Sequence, residues 1–207
     1  MKGKFITFVG CEGAGKSKQV SLLCEYLSKN GIEYILTREP GGTKVAEKIR
    51  EIILDKDNDM SDECEALLYA ASRAEHIKNK ILPALNEGKL VICDRFIDSS
   101  FAYQAFARNL GLEFVEKVNS YALNYLPDLT LFFDISPEMA FKRKGGVDKT
   151  DRLELQGMDF HNKVYEGFVS IADKYGDRIV KVDCLGKIEE THANVIRILK
   201  EKGIINA

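Results

Sequence analysis

The chain has 207 residues, of which 45% are apolar and 30% charged, so it is long enough for one compact domain with a sizeable core. Thirty basic and thirty-two acidic residues give a net charge of -2, which argues against a general nucleic-acid binder. The longest apolar runs are strand-sized, so no membrane partner is expected. The N-terminal residues run straight into a strand-like segment, leaving no room for a signal peptide.

The cysteines indicate a reducing compartment. There are five of them, an odd set, and no two form a C-x-x-C pair. We therefore expect free, mostly buried thiols in a cytoplasmic protein.

Strand-like and helical runs alternate along the chain. The apolar runs that predict strands are residues 5–9, 34–36, 90–93, 129–133 and 178–182. The segments between them carry apolar residues at helical spacing, as in Val20, Leu23 and Leu27. Apolar strands separated by helices predict an α/β fold, with a five-stranded parallel sheet flanked by helices on both faces.

A phosphate-binding motif follows the first predicted strand and opens the first helix. Residues 10–17 match G-x-x-x-x-G-K-[ST], a P-loop whose backbone N–H groups point at phosphate oxygens. Lys16 is expected to bridge the β- and γ-phosphates of ATP, and Ser17 to offer its hydroxyl to Mg²⁺. The predicted ATP-binding residues of this loop are Gly10, Cys11, Glu12, Gly13, Ala14, Gly15, Lys16 and Ser17. The alternative for the motif is a chance glycine-rich turn. A GTPase is not supported, because a D-x-x-G string occurs at 183–186 but no guanine-binding N-K-x-D follows it.

Asp94 and Arg95 terminate the third predicted strand, at the carboxyl edge of the sheet where ligands of such folds bind. A guanidinium group there can form two hydrogen bonds to an acceptor phosphate and hold it in line with ATP. Arg50 is a second candidate for this phosphate, and Asp94 joins Ser17 as a candidate metal ligand. The alternative for each arginine is a solvated surface charge.

Two helical faces combine aromatic and polar residues. Tyr69 and Arg73 are spaced i, i+4, whereas Ser100, Tyr103 and Gln104 follow an i, i+3, i+4 pattern. Each set is predicted to share one face. An ordinary core tyrosine beside a surface arginine remains the alternative for the first set.

Several segments together resemble the thymidylate kinase family. They are T-R-E-P-G-G-T at 37–43, L-L-Y-A-A-S-R-A-E-H at 67–76, D-R-F-I-D-S-S-F-A-Y-Q at 94–104, D-R-L-E at 151–154 and D-F-H at 159–161. The resemblance covers nearly the whole chain in the family's order. It implies a single P-loop kinase domain over residues 1–207 with a short lid at approximately 142–156. The implied activity is transfer of the γ-phosphoryl group of ATP to dTMP, with Mg²⁺, by a homodimer.

The resemblance also implies roles for particular residues. Tyr69 would stack on thymine and Arg73 would donate to a base carbonyl, while Tyr103 would pack against the sugar. Glu12 would reach the sugar 3′-hydroxyl or help order Mg²⁺. The complete set implied for dTMP is Glu12, Glu39, Pro40, Arg50, Tyr69, Arg73, Arg95, Ser99, Ser100, Tyr103 and Gln104.

A lid is predicted where four cationic residues surround two adjacent glycines, Gly145 and Gly146. The cations are Arg143, Lys144, Lys149 and Arg152. Some family members carry a catalytic arginine inside the P-loop, where this chain has Ala14, so Arg143 and Arg152 join Lys16, Arg95 and Glu12 as catalytic candidates. Arg143 has a further interpretation, stacking on adenine near residues 183–188. A merely solvated basic loop is the alternative for both lid arginines.

The sequence departs from the usual family pattern at Tyr69, Ser72, Phe96, Tyr165 and Phe168. Two other functions therefore stay open. One is a sister kinase acting on UMP, CMP, AMP or GMP, and the other is a non-catalytic, nucleotide-sensing P-loop module.

Overall fold

The protein is described here by a computed structural model that covers residues 3–145 and 152–206. All five predicted strands are present and form one parallel sheet in the order β2-β3-β1-β4-β5. The strands are Phe5–Gly10 (β1), Tyr34–Arg38 (β2), Leu90–Asp94 (β3), Leu129–Asp134 (β4) and Ile179–Asp183 (β5). The predicted α/β fold is confirmed.

Helices connect the strands. The α-helices are Lys16–Lys29 (α1), Lys44–Leu54 (α2), Asp62–His76 (α3), Leu82–Asn86 (α4), Ile97–Ser100 (α5), Leu112–Val118 (α6), Pro137–Lys144 (α7), Met158–Lys174 (α8) and Ile188–Glu201 (α9). Two π-helical segments, Ile77–Ile81 and Phe101–Ala107, continue α3 and α5. Short 3₁₀ turns lie at Ala122–Tyr125 and Glu154–Gln156.

The three central strands, β1, β3 and β4, are buried on both faces, which explains why they read as continuous apolar runs. Successive side chains of a strand point to opposite faces, so Phe5 joins one core cluster and Ile6 the other. Phe132 and Phe133 divide in the same way on β4. Two apolar layers therefore hold the sheet rigid, and the strand ends become fixed positions for polar groups.

Three helices begin at side-chain caps. Thr43 accepts a hydrogen bond from the backbone N–H of Ala46, and Ser61 does the same for Cys64. Ser136 caps α7 and is followed by Pro137, whose fixed φ suits a first helical turn. Since α7 runs on through Lys144, the loop predicted from Lys142 begins later than the sequence indicates.

The carboxyl ends of β1 and β3 lie side by side, so the segment after Gly10 adjoins the segment after Asp94. The chain leaves β1 toward β2 and leaves β3 toward β4, in opposite directions across the sheet. The crevice at such an edge is the usual ligand-binding place of a parallel α/β sheet. Within the described ranges, no helix has the length and apolar character needed to cross a bilayer.

Candidate active site

The phosphate loop joins β1 to α1 and depends on glycine. Gly15 adopts φ 92° directly before the helix, a left-handed conformation that favours glycine. A Cβ on Gly13 would lie 2.1 Å from the carbonyl oxygen of Ala140 on α7, so the loop and that helix are in direct contact. The loop therefore presents backbone N–H groups at a helix N-terminus, an arrangement that binds phosphate.

Lys16 folds back over this loop. Its Nζ donates to the carbonyl oxygens of Gly10, at 3.1 Å, and Cys11, at 2.8 Å, and the residue is only 5% exposed. Burial lowers the pKa of the Lys16 ammonium, and the nearby Arg95 charge lowers it further. Burial also raises the pKa of the Cys11 thiol to about 11, so this cysteine is a protonated, packed side chain.

Arg95 contacts Glu12 of the phosphate loop through its Nη2. The backbone of Arg95 has φ 68°, a strained conformation for a residue other than glycine, and its N–H donates to Phe8 on β1. The Arg95 guanidinium holds the pKa of the Glu12 carboxyl well below its usual range. The clamp predicted for the acceptor phosphate thus lies directly against the loop predicted for ATP.

A partly enclosed cavity opens beside Arg95 and is lined mainly by polar, charged and aromatic side chains. Its lining includes all the residues that the sequence assigned to dTMP: Glu12, Glu39, Pro40, Arg50, Tyr69, Arg73, Arg95, Ser99, Ser100, Tyr103 and Gln104. The sequence-based site therefore converges on one place in the fold.

Other lining residues were not predicted. They are Leu54, Phe96, Leu153, Glu154 and His161. All except Leu54 lie in segments that resemble the family, so position in those segments was a usable signal for them. Leu54 is an apolar helix-end residue with no distinguishing pattern.

Arg73 is held rigidly at the cavity wall. It is 1% exposed, its Nε donates to Glu39 at 2.8 Å, and its Nη1 donates to Ser100 at 3.0 Å and Asn119 at 2.6 Å. The other Glu39 oxygen lies 3.0 Å from His76 Nδ1. Glu39 thus orients Arg73, a role that the sequence alone did not indicate.

Of the face predicted from three residues, Tyr103 and Gln104 lie on the π-helix Phe101–Ala107, which has a wider turn than an α-helix, whereas Ser100 ends α5. All three still line the cavity. Arg95 lies over the ring of Tyr103, 5.4 Å from its centroid, so this tyrosine supports the clamp. Arg50 lines the same cavity and donates to the Pro40 carbonyl at 2.9 Å.

Two oxygen groups fit a hard cation. Ser17 and Asp94 line the same second cavity, between α1 and β2. Asp94 Oδ1 is buried and has no hydrogen-bond partner among the described residues. Within those residues, no cluster of three or more His, Cys, Asp or Glu could enclose a metal ion. A serine and one carboxylate suit Mg²⁺ that takes its remaining ligands from phosphates and water.

The predicted lid is only partly within the described ranges. Gly146 and Lys149 lie outside them. Arg143 donates to the carbonyl oxygens of Cys184, at 2.7 Å, and Leu185, at 3.1 Å. This position agrees with the interpretation of Arg143 as a residue that stacks on adenine near residues 183–188, and it does not bring Arg143 to the phosphate loop.

Arg152 lies at the other end of the lid. Its Nε donates to the Ile53 carbonyl at 2.9 Å, and its Nη2 donates to Glu65 at 2.5 Å. Lys144 reaches across to Glu154. The two predicted catalytic arginines of the lid are therefore anchored on opposite sides of the site.

Comparison with known proteins gives one family. The family model for thymidylate kinase matches residues 8–195. Thymidylate kinase of Thermoanaerobacter sp. (strain X514) is 48% identical over 97% of this chain and 99% of its own length. Thymidylate kinase of Clostridium novyi (strain NT) is 48% identical over 96% of this chain and 99% of its own. That of Acholeplasma laidlawii (strain PG-8A) is 50% identical over 86% and 90%. On these matches and the geometry of its site, the chain belongs to the thymidylate kinase family of phosphotransferases.

Proposed function

We propose that the protein transfers the γ-phosphoryl group of ATP to the 5′-phosphate of dTMP, giving dTDP and ADP, in dTTP biosynthesis. The contact between Glu12 and Arg95 carries the proposal. Because Glu12 belongs to the phosphate loop and Arg95 lines the cavity, a donor phosphate on the loop and an acceptor phosphate at Arg95 would be neighbours. Phosphoryl transfer needs this end-to-end placement.

Unsatisfied polar atoms support an anion at Arg95. Arg95 Nη1 and Ser99 Oγ are both buried without a hydrogen-bond partner in the described part of the chain. Buried donors are normally satisfied, so a ligand oxygen is a natural partner for them. Glu12 keeps the guanidinium oriented, and Arg50 adds a second positive charge to the lining of the cavity.

The part of the cavity lined by Tyr69 and Arg73 suits thymine. Tyr69 supplies an aromatic face for stacking, and the fixed Arg73 donates to a base carbonyl. Ser100 and Gln104 add polar contacts to the base edge. Tyr103 packs where the sugar would lie and favours deoxyribose.

The residues of the site align the donor and acceptor phosphates and neutralise their negative charge, and none of them needs to abstract a proton. The acceptor phosphate is already a nucleophile near neutral pH, so the site needs no strong general base. Lys16 would stabilise charge on the transferring group, and Arg152 would add to it as the lid excludes water. Arg143, held at Cys184 and Leu185, would lie beside the adenine instead. Ser17 and Asp94 would hold Mg²⁺, which supplies charge neutralisation at the phosphates.

An acceptor panel tests the proposal. With Mg-ATP, purified protein should release ADP with dTMP and much less with CMP, AMP or GMP. The thymine methyl contributes only about 1–3 kcal/mol in an apolar pocket, so dUMP should be a poor but measurable substrate. A stronger response to another monophosphate would indicate a sister kinase. ADP production that no acceptor increases would refute the proposal and support a non-catalytic, nucleotide-sensing module.

We also propose a single kinase domain over residues 1–207, with a lid at approximately 142–156, that forms a cytoplasmic homodimer. Apolar side chains left exposed on α2 and α3, such as Ile52 and Leu67, support an interface between copies. All five cysteines are free, as expected in a reducing compartment. Light scattering during gel filtration would test the dimer.

A further inference from the structure

The Glu65 carboxylate lies behind the cavity wall, fully buried on α3. Gln104 Nε2 donates to its Oε1 at 2.9 Å. Arg108 Nη2, at 3.0 Å, and Arg152 Nη2, at 2.5 Å, donate to its Oε2. We propose that Glu65 is a positioning residue that fixes the Gln104 amide and thereby selects thymine or uracil over cytosine, an inference that rests on the proposed function.

The chemistry of Glu65 determines which end of the amide faces it. An ionised carboxylate only accepts hydrogen bonds, and two guanidinium groups already flank this one. Gln104 must therefore turn its NH₂ group toward Glu65. Its carbonyl oxygen, Oε1, is used by none of the hydrogen bonds between described residues, so it remains available to a ligand in the cavity that Gln104 lines.

The second polar group of the wall is fixed in the same way. Arg73 is held by Glu39, Ser100 and Asn119, and a guanidinium can only donate. The wall therefore offers one donor, from Arg73, and one acceptor, from Gln104.

Thymine and uracil match this pair because they present a carbonyl oxygen, O4, beside an N3–H donor. Cytosine presents the reverse, an amino group beside an unprotonated N3. A glutamine free to turn could offer its NH₂ group to N3 of cytosine. The hydrogen bond to Glu65 prevents that rotation, so cytosine would leave buried groups unpaired.

A purely structural role for Glu65 makes a different prediction. In that case the carboxylate only neutralises Arg108 and Arg152, and its loss would weaken the fold without changing the choice of base. Arg108→Lys is the matched control, since it disturbs the same charge cluster and leaves the Gln104 hydrogen bond in place.

The experiment compares kcat/KM for dTMP and dCMP in wild type, Glu65→Gln, Arg108→Lys, Gln104→Met and the Glu65→Gln/Gln104→Met double variant. A glutamine at 65 also donates, so Gln104 can turn either way, and the ratio of dCMP to dTMP should rise about tenfold or more. Arg108→Lys should leave the ratio within about twofold of wild type. In the Gln104→Met background the Glu65 change should have no further effect on the ratio, because the two residues act through one contact. An unchanged ratio in folded Glu65→Gln, or an equal rise in Arg108→Lys, would overturn the inference.

Two further measurements test the same inference by independent routes. If Glu65→Gln does not fold, Glu65→Asp keeps the charge, withdraws the carboxylate from Gln104 and should raise the same ratio. In wild type, N3-methyl-dTMP should bind at least about thirtyfold more weakly than dTMP, since it lacks the donor for Oε1. Equal binding of the two would refute the orientation assigned to Gln104. Failure of wild type to phosphorylate dTMP at all would instead refute the proposed function.

Discussion

Arg178, just before β5, makes two hydrogen bonds to Asp98 of α5, from Nη1 at 2.7 Å and from Nη2 at 2.6 Å. Asp98 is fully buried and also accepts from Thr130 Oγ1 on β4 at 2.8 Å. Asp98 thereby ties the helix that follows the Asp94–Arg95 strand end to the other half of the sheet. The segment that presents Ser99 and Ser100 to the cavity depends on this connection.

Asp98→Ala should therefore destabilise the fold. Removing one partner of a buried pair leaves an uncompensated charge, and because Arg178 retains some exposure we expect a loss of about 3 kcal/mol in the free energy of unfolding. Urea denaturation measures it. Glu201→Ala, which breaks the exposed Arg197–Glu201 pair, is the control and should cost less than about 1 kcal/mol. Similar losses in the two variants would contradict a structural role for Asp98.

Lys16→Ala should lower kcat for ADP release about 10²–10³-fold, because a buried ammonium aimed at the phosphate loop is lost. Steady-state kinetics at saturating ATP and dTMP, with circular dichroism to check folding, measure the effect. Lys18→Ala, an exposed lysine on the same helix, should retain nearly full activity. Near-normal turnover of Lys16→Ala would remove Lys16 from the mechanism.

Arg95→Lys should lower kcat/KM for dTMP by at least about tenfold, since an ammonium group cannot bind an acceptor phosphate with the two parallel hydrogen bonds of a guanidinium. Arg38→Lys is the matched control, because Arg38 also ends a strand of this edge but is exposed and pairs with Glu47. A value for Arg95→Lys within threefold of wild type would show that Arg95 does not hold the acceptor.

The Glu12–Arg95 contact should make stability depend on pH. The pKa of Glu12 is lowered by Arg95 in the folded protein, so the pair's contribution is fully present above the unfolded pKa of about 4.3 and is lost as pH falls toward the folded value. Urea unfolding of wild type and Glu12→Gln between pH 3 and 8 measures it. The difference between the two proteins should be constant from about pH 5 to 8 and shrink below about pH 4. A difference that persists unchanged at pH 3 would show that Glu12 is not stabilised in its ionised form.

The sequence predicted the sheet and most of the cavity because both depend on local patterns. Apolar runs between helical segments defined each strand, and parallel strands must bring their carboxyl ends together, so Gly10 and Asp94 had to lie at the same edge of the sheet. The adjacency of β1 and β3 came only from the structure. Tyr69 and Arg73 shared a face for the same kind of reason, a fixed helical spacing.

Contacts between distant segments were not predictable in this way. Arg143 and Arg152 bracket one predicted lid, yet they bind opposite sides of the site, at Cys184 and Ile53. Glu65 looked like an ordinary charged residue in the first turn of a helix. Only the packing of α3 against the π-helix Phe101–Ala107 buries it and makes it the partner of Gln104.

The close approach of Gly13 to Ala140 has a consequence for how this site tolerates change. A single added methyl group at position 13 would displace α7 from the loop. Helix α7 carries Arg143, which donates a hydrogen bond to the Cys184 carbonyl after β5. The phosphate loop and Arg143 would therefore shift together. Even the change from glycine to alanine at position 13 would disturb both the phosphate end and the adenine end of the proposed ATP site.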